Sequence, residues 1–128
     1  MDLVRRAYAA LARGDVEWIA GVLTDDVVYD PPVGEAMHGR EAVVRVMREL
    51  PSIWSEYEPE AQEFIAGDEL VVVLGRYRCR ARRTGLLFEA PFAVVCTLAD
   101  GEIARVQEFT KGHELARALG VNGDSPIE

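Results

Sequence analysis

Cysteine and histidine are scarce in this chain: its 128 residues hold two of each. Cys79 and Cys96 have neither the spacing nor the neighbours of a metal site, and His38 and His113 lie far apart, so no structural zinc centre is expected. The two cysteines fall on neighbouring expected strands. They either pair or, on the stronger reading, remain two buried free thiols of an intracellular protein. Basic charge is also short, with 14 Lys and Arg against 22 Asp and Glu, a formal net charge of -8 and a pI near 4.8. Such a surface repels phosphate backbones and anionic lipid, so neither nucleic acid nor a membrane is an expected partner. No apolar run reaches the length of a membrane span. The opening MDLVRRAYAALARGD carries Asp2, and arginines inside its apolar pattern, unlike a secretory signal. The expected location is cytoplasmic. The sequence has no GxGxxG, P-loop, HExxH, GxSxG or CxxC string, so dinucleotide redox, nucleotide hydrolysis and serine hydrolysis lack motif support. No cofactor and no metal is expected.

What is present suits one domain. The length is that of a single core, and an apolar fraction of 49% can fill it without disulfides. Leu3, Val4, Ala7, Tyr8 and Leu11 repeat at spacings of three and four, which predicts a helix over 2–13 ended by Gly14. Asp15 is a predicted N-cap for a short helix containing Val16, Trp18, Ile19 and Leu23. A short strand at Val27, Val28 and Tyr29 runs into Pro31 and Pro32, VGEAMHG is loop, and a helix is expected from about Arg40 to Trp54 with Pro51 ending or kinking it. The period then changes to two. Strands are predicted around 60–65, over 70–81, over 86–98 and over 102–110, followed by a short helix in GHELARAL. Helices segregated from a meander indicate an α+β fold. Two strands of about twelve residues are expected to curl, giving helices on a strongly curved antiparallel sheet with an internal pocket.

Four strings in order, YAALARGD at 8–15, VLTDDVVYDPP at 22–32, HGREAV at 38–43 and DGEIARVQEF at 100–109, resemble the SnoaL-like and ketosteroid-isomerase-like branch of the nuclear transport factor 2-like superfamily. The resemblance implies one SnoaL-like domain over 1–119, a flexible tail over 120–128, a cone-shaped roll, a homodimer and a small ligand under the helices. Asp30 matches the place of the isomerase's catalytic base. The isomerase's first-helix tyrosine falls on Ala7, one place from Tyr8, and its second acid falls on Ala93. In the pattern of the related epoxide hydrolases, the arginine matches Arg76 loosely, one acid falls on Glu108 and the other on Arg78.

Three residues are candidates for acid–base chemistry. Asp30 is either a general base or the acceptor of turn hydrogen bonds before Pro31. His38 is either an acid–base group or a tie between loop and helix. Glu108 shares a strand face with Ala104 and Val106, as a pocket acid or an edge charge. Trp18, Tyr29, Trp54, Tyr57, Phe88 and Phe92 are candidates for an apolar ligand wall, or for core. Arg76 alternates with Arg78, Arg80 and Arg82 on one strand face. It either turns into a cavity to meet an anion or joins a solvated or dimer-facing side. The expected function is that of a small-molecule pocket protein. It would be a cofactor-free isomerase or cyclase acting by general acid–base chemistry on a small cyclic or polyketide-like carbonyl compound. The alternatives are a non-catalytic binder of a small apolar or aromatic molecule, and a dimeric assembly or regulatory protein.

Overall fold

A computed structural model describes residues 2–121, so most of the tail expected over 120–128 lies outside the described residues. Helix α1 spans Asp2–Ala12 and α2 spans Val16–Ala20, with the Asp15 carboxylate accepting from the Trp18 amide at 3.1 Å. Strands β1 (Leu23–Asp30) and β2 (Met37–His38) follow, then helix α3 (Arg40–Ile53). Strands β3 (Trp54–Ala66), β4 (Leu70–Ala81), β5 (Leu87–Ala99) and β6 (Glu102–Phe109) form the meander, and α4 (Gly112–Leu119) ends the described fold. Gly120 closes α4 at φ 75°, a left-handed turn in which the amides of Gly120 and Val121 bond back to Arg117 and Ala116.

The six strands form one sheet in the order β2-β1-β6-β5-β4-β3. Its β1–β6 joint is parallel and the others are antiparallel. This corrects the expected cone-shaped roll on a strongly curved antiparallel sheet: the sheet is mixed, open, and neither strongly curled nor closed. The edges stay apart because β2, two residues long, is too short to extend the ladder toward β3. The chain instead crosses from one edge to the other through α3, which leaves β2 and enters β3. The helix is thereby laid over one face of the sheet.

That face is apolar by strand alternation. Val71, Val73, Tyr77 and Cys79 of β4 meet Phe88, Ala90, Phe92, Val94 and Cys96 of β5, all buried. Strand β3 carries two register shifts, after Trp54 and after Ala61. Each bulge resets the period of two, so Trp54, Tyr57, Ala61 and Phe64 all join the core cluster although their numbers do not share a parity. The opposite face of β4 carries the arginines. Arg78 pairs with Glu56 at 3.0 Å, and with Glu58 and Glu89 on the flanking strands, while Arg80 pairs with Glu56 at 2.7 Å. Hydrogen bonds from Arg80 and Arg78 hold the Glu56 carboxyl below its ordinary range.

Candidate functional site: a tyrosine-lined cavity around Glu108

Between the helices and the inner face of the sheet lies a cavity of about 150 Å³. Helix α1 contributes Val4, Ala7, Tyr8 and Leu11, its stripe at spacings of three and four, and α3 contributes Val43, Val46, Met47 and Leu50. The sheet supplies Tyr29, Tyr57, Tyr77 and Glu108 among apolar neighbours that include Val94 and Val106. All four tyrosines of the chain line this one cavity, and Glu108 is the one charged side chain in its lining.

The strands explain how these groups meet. Glu108 on β6 stands opposite Val94, and Tyr29 on β1 stands beside Val106, one inward position from Glu108. Tyr77 is further away, on β4 opposite Ala90. Phe92 lies between Ala90 and Val94 in the same inward row, and the Tyr77 ring stacks on it with centroids 4.3 Å apart. The phenol thereby reaches across β5. The Tyr29 hydroxyl donates to Glu108 Oε1 and the Tyr77 hydroxyl to Oε2, so both carboxylate oxygens are held. Phe92 also stacks on Tyr8 at 6.4 Å, and Trp54 stacks on Tyr57 at the same distance. Among the described residues, the hydroxyls of Tyr8 and Tyr57 have no hydrogen-bond partner and are not fully buried. Burial pushes all four phenols well above the usual tyrosine range, and the nearby Glu108 carboxylate adds to the shift. They stay protonated, and so remain donors, across the neutral range.

The description of the SnoaL-like domain matches residues 4–106. This chain belongs to the SnoaL-like family. An uncharacterised protein from Mycobacterium tuberculosis is 30% identical over 113 residues, covering 85% of this chain and 86% of its own. A crystal structure of an NTF2-like protein of unknown function from Burkholderia pseudomallei is 27% identical, with a TM-score of 0.84 over 93% of this chain and 95% of its own. A ketosteroid-isomerase-like fold from Catenulispora acidiphila, solved in complex with trimethylamine, is 17% identical with a TM-score of 0.80, covering 96% and 95% of the two chains. The family places this chain in the NTF2-like superfamily, among ketosteroid-isomerase-like and polyketide-cyclase-like folds.

Within this SnoaL-like frame the residues singled out by sequence separate clearly. Glu108, Tyr29 and Tyr57 line the cavity. Asp30 does not: strand alternation turns it to the opposite face from Tyr29, where Arg105 Nε donates to its carboxylate at 2.8 Å. His38 sits exposed on the two-residue strand β2 at the sheet edge. Arg76 is exposed on the outward face of β4, opposite Glu60 and Pro91. Trp54, Phe88 and Phe92 are core behind the lining, and Trp18 packs in the second core cluster with Arg6 over its ring. Ala93 faces outward between the buried Phe92 and Val94, so β5 brings no second acid into the cavity. Cys79 and Cys96 are free, buried and out of register, opposite Phe88 and Val71 respectively. Sequence reasoning passed over Tyr77 and Tyr8 as site residues. Tyr77 alternates with the arginines along β4, and its partnership with Glu108 depends on a reach across a whole strand.

Proposed function

We propose that this SnoaL-like protein is a cofactor-free acid–base enzyme acting on a small cyclic carbonyl compound, with Glu108 as the group that moves the proton. The observation that carries this is the single carboxylate held by two phenols inside an otherwise apolar cavity. Glu108 takes a proton from the carbon next to the carbonyl, and the bonding electrons move onto the carbonyl oxygen to give an enolate. The Tyr8 or Tyr57 hydroxyl donates to that oxygen as its charge develops. Where the substrate has a β,γ double bond, the enolate is a dienolate, and return of the proton from Glu108 to its γ-carbon moves the double bond into conjugation and completes an isomerisation. In a cyclisation the enolate carbon instead bonds to a second carbonyl of the same molecule, and the proton ends on the new alkoxide. Neither course requires a bound cofactor. The volume limits the substrate: an apolar cavity of ~150 Å³ accommodates benzene, so the substrate on this reading has about one ring.

The test is exchange of α-hydrogens for deuterium in a panel of single-ring ketones and 1,3-diketones, followed by NMR in D2O. The expected result is exchange above the buffer rate that drops by at least about a hundredfold in Glu108→Gln, the usual scale of general-base catalysis. Exchange unchanged by that substitution removes Glu108 from the chemistry. One observation favours a second reading, a binder without turnover: both Glu108 oxygens already accept internal hydrogen bonds. A ligand that binds in the cavity and shows no exchange in the native protein selects that reading.

The proposal includes a homodimer. It is supported by the outward face of the sheet, where Leu70 and Phe109 are 42% and 54% exposed. Light scattering at micromolar concentration is expected to give twice the chain mass of 14.2 kDa. A monomer mass contradicts the homodimer.

A further inference from the structure

We propose that the molecule this cavity takes is a small organic cation, a protonated amine on a single ring or a compact alkyl group, with its nitrogen against Glu108 and its carbons against the tyrosine rings. The inference rests on the reading above that the cavity at Glu108 is a binding site, and it names the charge class that the site selects.

Hydrogen-bond direction is the first argument. Tyr29 and Tyr77 both spend their hydroxyl protons on Glu108. What those phenols then present to the cavity is oxygen lone pairs. The carboxylate also keeps acceptor capacity, since its two oxygens offer about four lone-pair sites and two are used. This wall of the cavity is therefore an acceptor surface with a formal charge of minus one, and it fits a donor cation and repels an anion. Charge balance is the second argument. No lysine, arginine or histidine is in the cavity lining to answer Glu108, whereas Asp30 on the opposite face of the sheet has Arg105. A half-buried carboxylate without a counter-charge gains most from a cation that brings its own apolar cover. The rings are the third argument. Four phenols reach the cavity from α1, β1, β3 and β4, and a lining rich in aromatic rings around one carboxylate suits the alkyl groups of an ammonium ion.

Three probes built on the same single ring separate the possibilities: cyclohexylammonium, cyclohexanol and cyclohexanecarboxylate, titrated calorimetrically into the full chain at pH 7.5. The expected order is ammonium first, at least about tenfold tighter than the alcohol, with the carboxylate weakest. In Glu108→Gln the preference for the ammonium over the alcohol disappears. Unselective attraction of a cation to a protein of net charge -8 survives that substitution, so a preference kept in Glu108→Gln overturns the proposal. Equal binding of ammonium and alcohol, or tighter binding of the carboxylate, also overturns it and leaves the cavity standing as a neutral-ligand site. Failure of all three probes to bind the native protein removes both this inference and the binding-site reading beneath it. The order of the probes on the native chain is decisive even where the variant fails to fold.

Discussion

At the scale of single residues, the contrast between Asp30 and Glu108 shows how little separates a site residue from a surface one. Both are acids on strands near the helix-covered face. Asp30 follows Tyr29 directly, and the period of two sends the tyrosine in and the aspartate out to Arg105. Asp30→Asn is therefore expected to leave deuterium exchange and ligand affinity within about twofold of the native protein, while Glu108→Gln abolishes exchange. An equal loss in both variants would place Asp30 back in the chemistry. The sequence offered three acid–base candidates but not which way each faces, because facing depends on register. The parallel β1–β6 pairing that sets Tyr29 next to Val106 is a long-range contact without local signal. Tyr77 was hidden for the same reason: its hydroxyl meets an acid two strands away.

At the scale of elements, local pattern and outcome agree where periodicity is strong. The alternation of arginine with buried residues placed β4 at Leu70–Ala81, and the helical stripes of α1 and α3 lie on the cavity as their spacing implied. Pattern failed where a bulge interrupts it. Strand β3 begins at Trp54, not near 60, because its first bulge breaks the alternation and Trp54 continues the apolar spacing of α3. Strand β1 begins at Leu23, since the polar Thr24, Asp25 and Asp26 mask it. Gly75 marks the second bulge of β3. A methyl group added there would lie 2.1 Å from the Glu60 carbonyl oxygen and 2.6 Å from the Phe92 ring. Gly75→Ala is accordingly expected to lower stability by about 2 kcal/mol or more, read as a lower urea midpoint. Because Phe92 supports both Tyr77 and Tyr8, ligand affinity is expected to fall with it. An unchanged midpoint would mean that β3 and Phe92 move aside freely.

At the scale of the whole molecule, the α+β class and the succession of helices and meander strands were legible, while the short β2, the strand order within the sheet and the sheet's shape were not. Strand length suggested a curled antiparallel roll, but whether a sheet closes is decided at its edges, and here one edge is the short β2. The cavity survives that correction because α1 and α3 straddle the inner face. The buried acids give the molecule a shared pH response. Burial pushes the Cys79 and Cys96 thiols up to about 11 from an ordinary value of 9.0, and it raises the four tyrosines as well. A neutral acid whose folded pKa is raised binds more protons when folded than when unfolded above its ordinary pKa. Its contribution is thus complete below about pH 9 and is lost as pH rises toward 11. The stability read from urea unfolding is expected to be level from pH 7 to 8.5 and to fall beyond pH 9, by about 2 kcal/mol per thiol at pH 11. The native thiols are correspondingly expected to react slowly with a disulfide reagent at pH 8 and rapidly in urea. A midpoint that rises between pH 9 and 11 would contradict burial of these groups.

A crystal structure of the protein soaked with a single-ring ligand such as cyclohexylammonium tests the Glu108 cavity as the binding site. Density for one ring is expected between α1, α3 and the sheet, in contact with Glu108 and within reach of the Tyr8 and Tyr57 hydroxyls. An empty cavity at saturating ligand, or a ring bound instead beside Asp30 and Arg105 on the outward face, would contradict it.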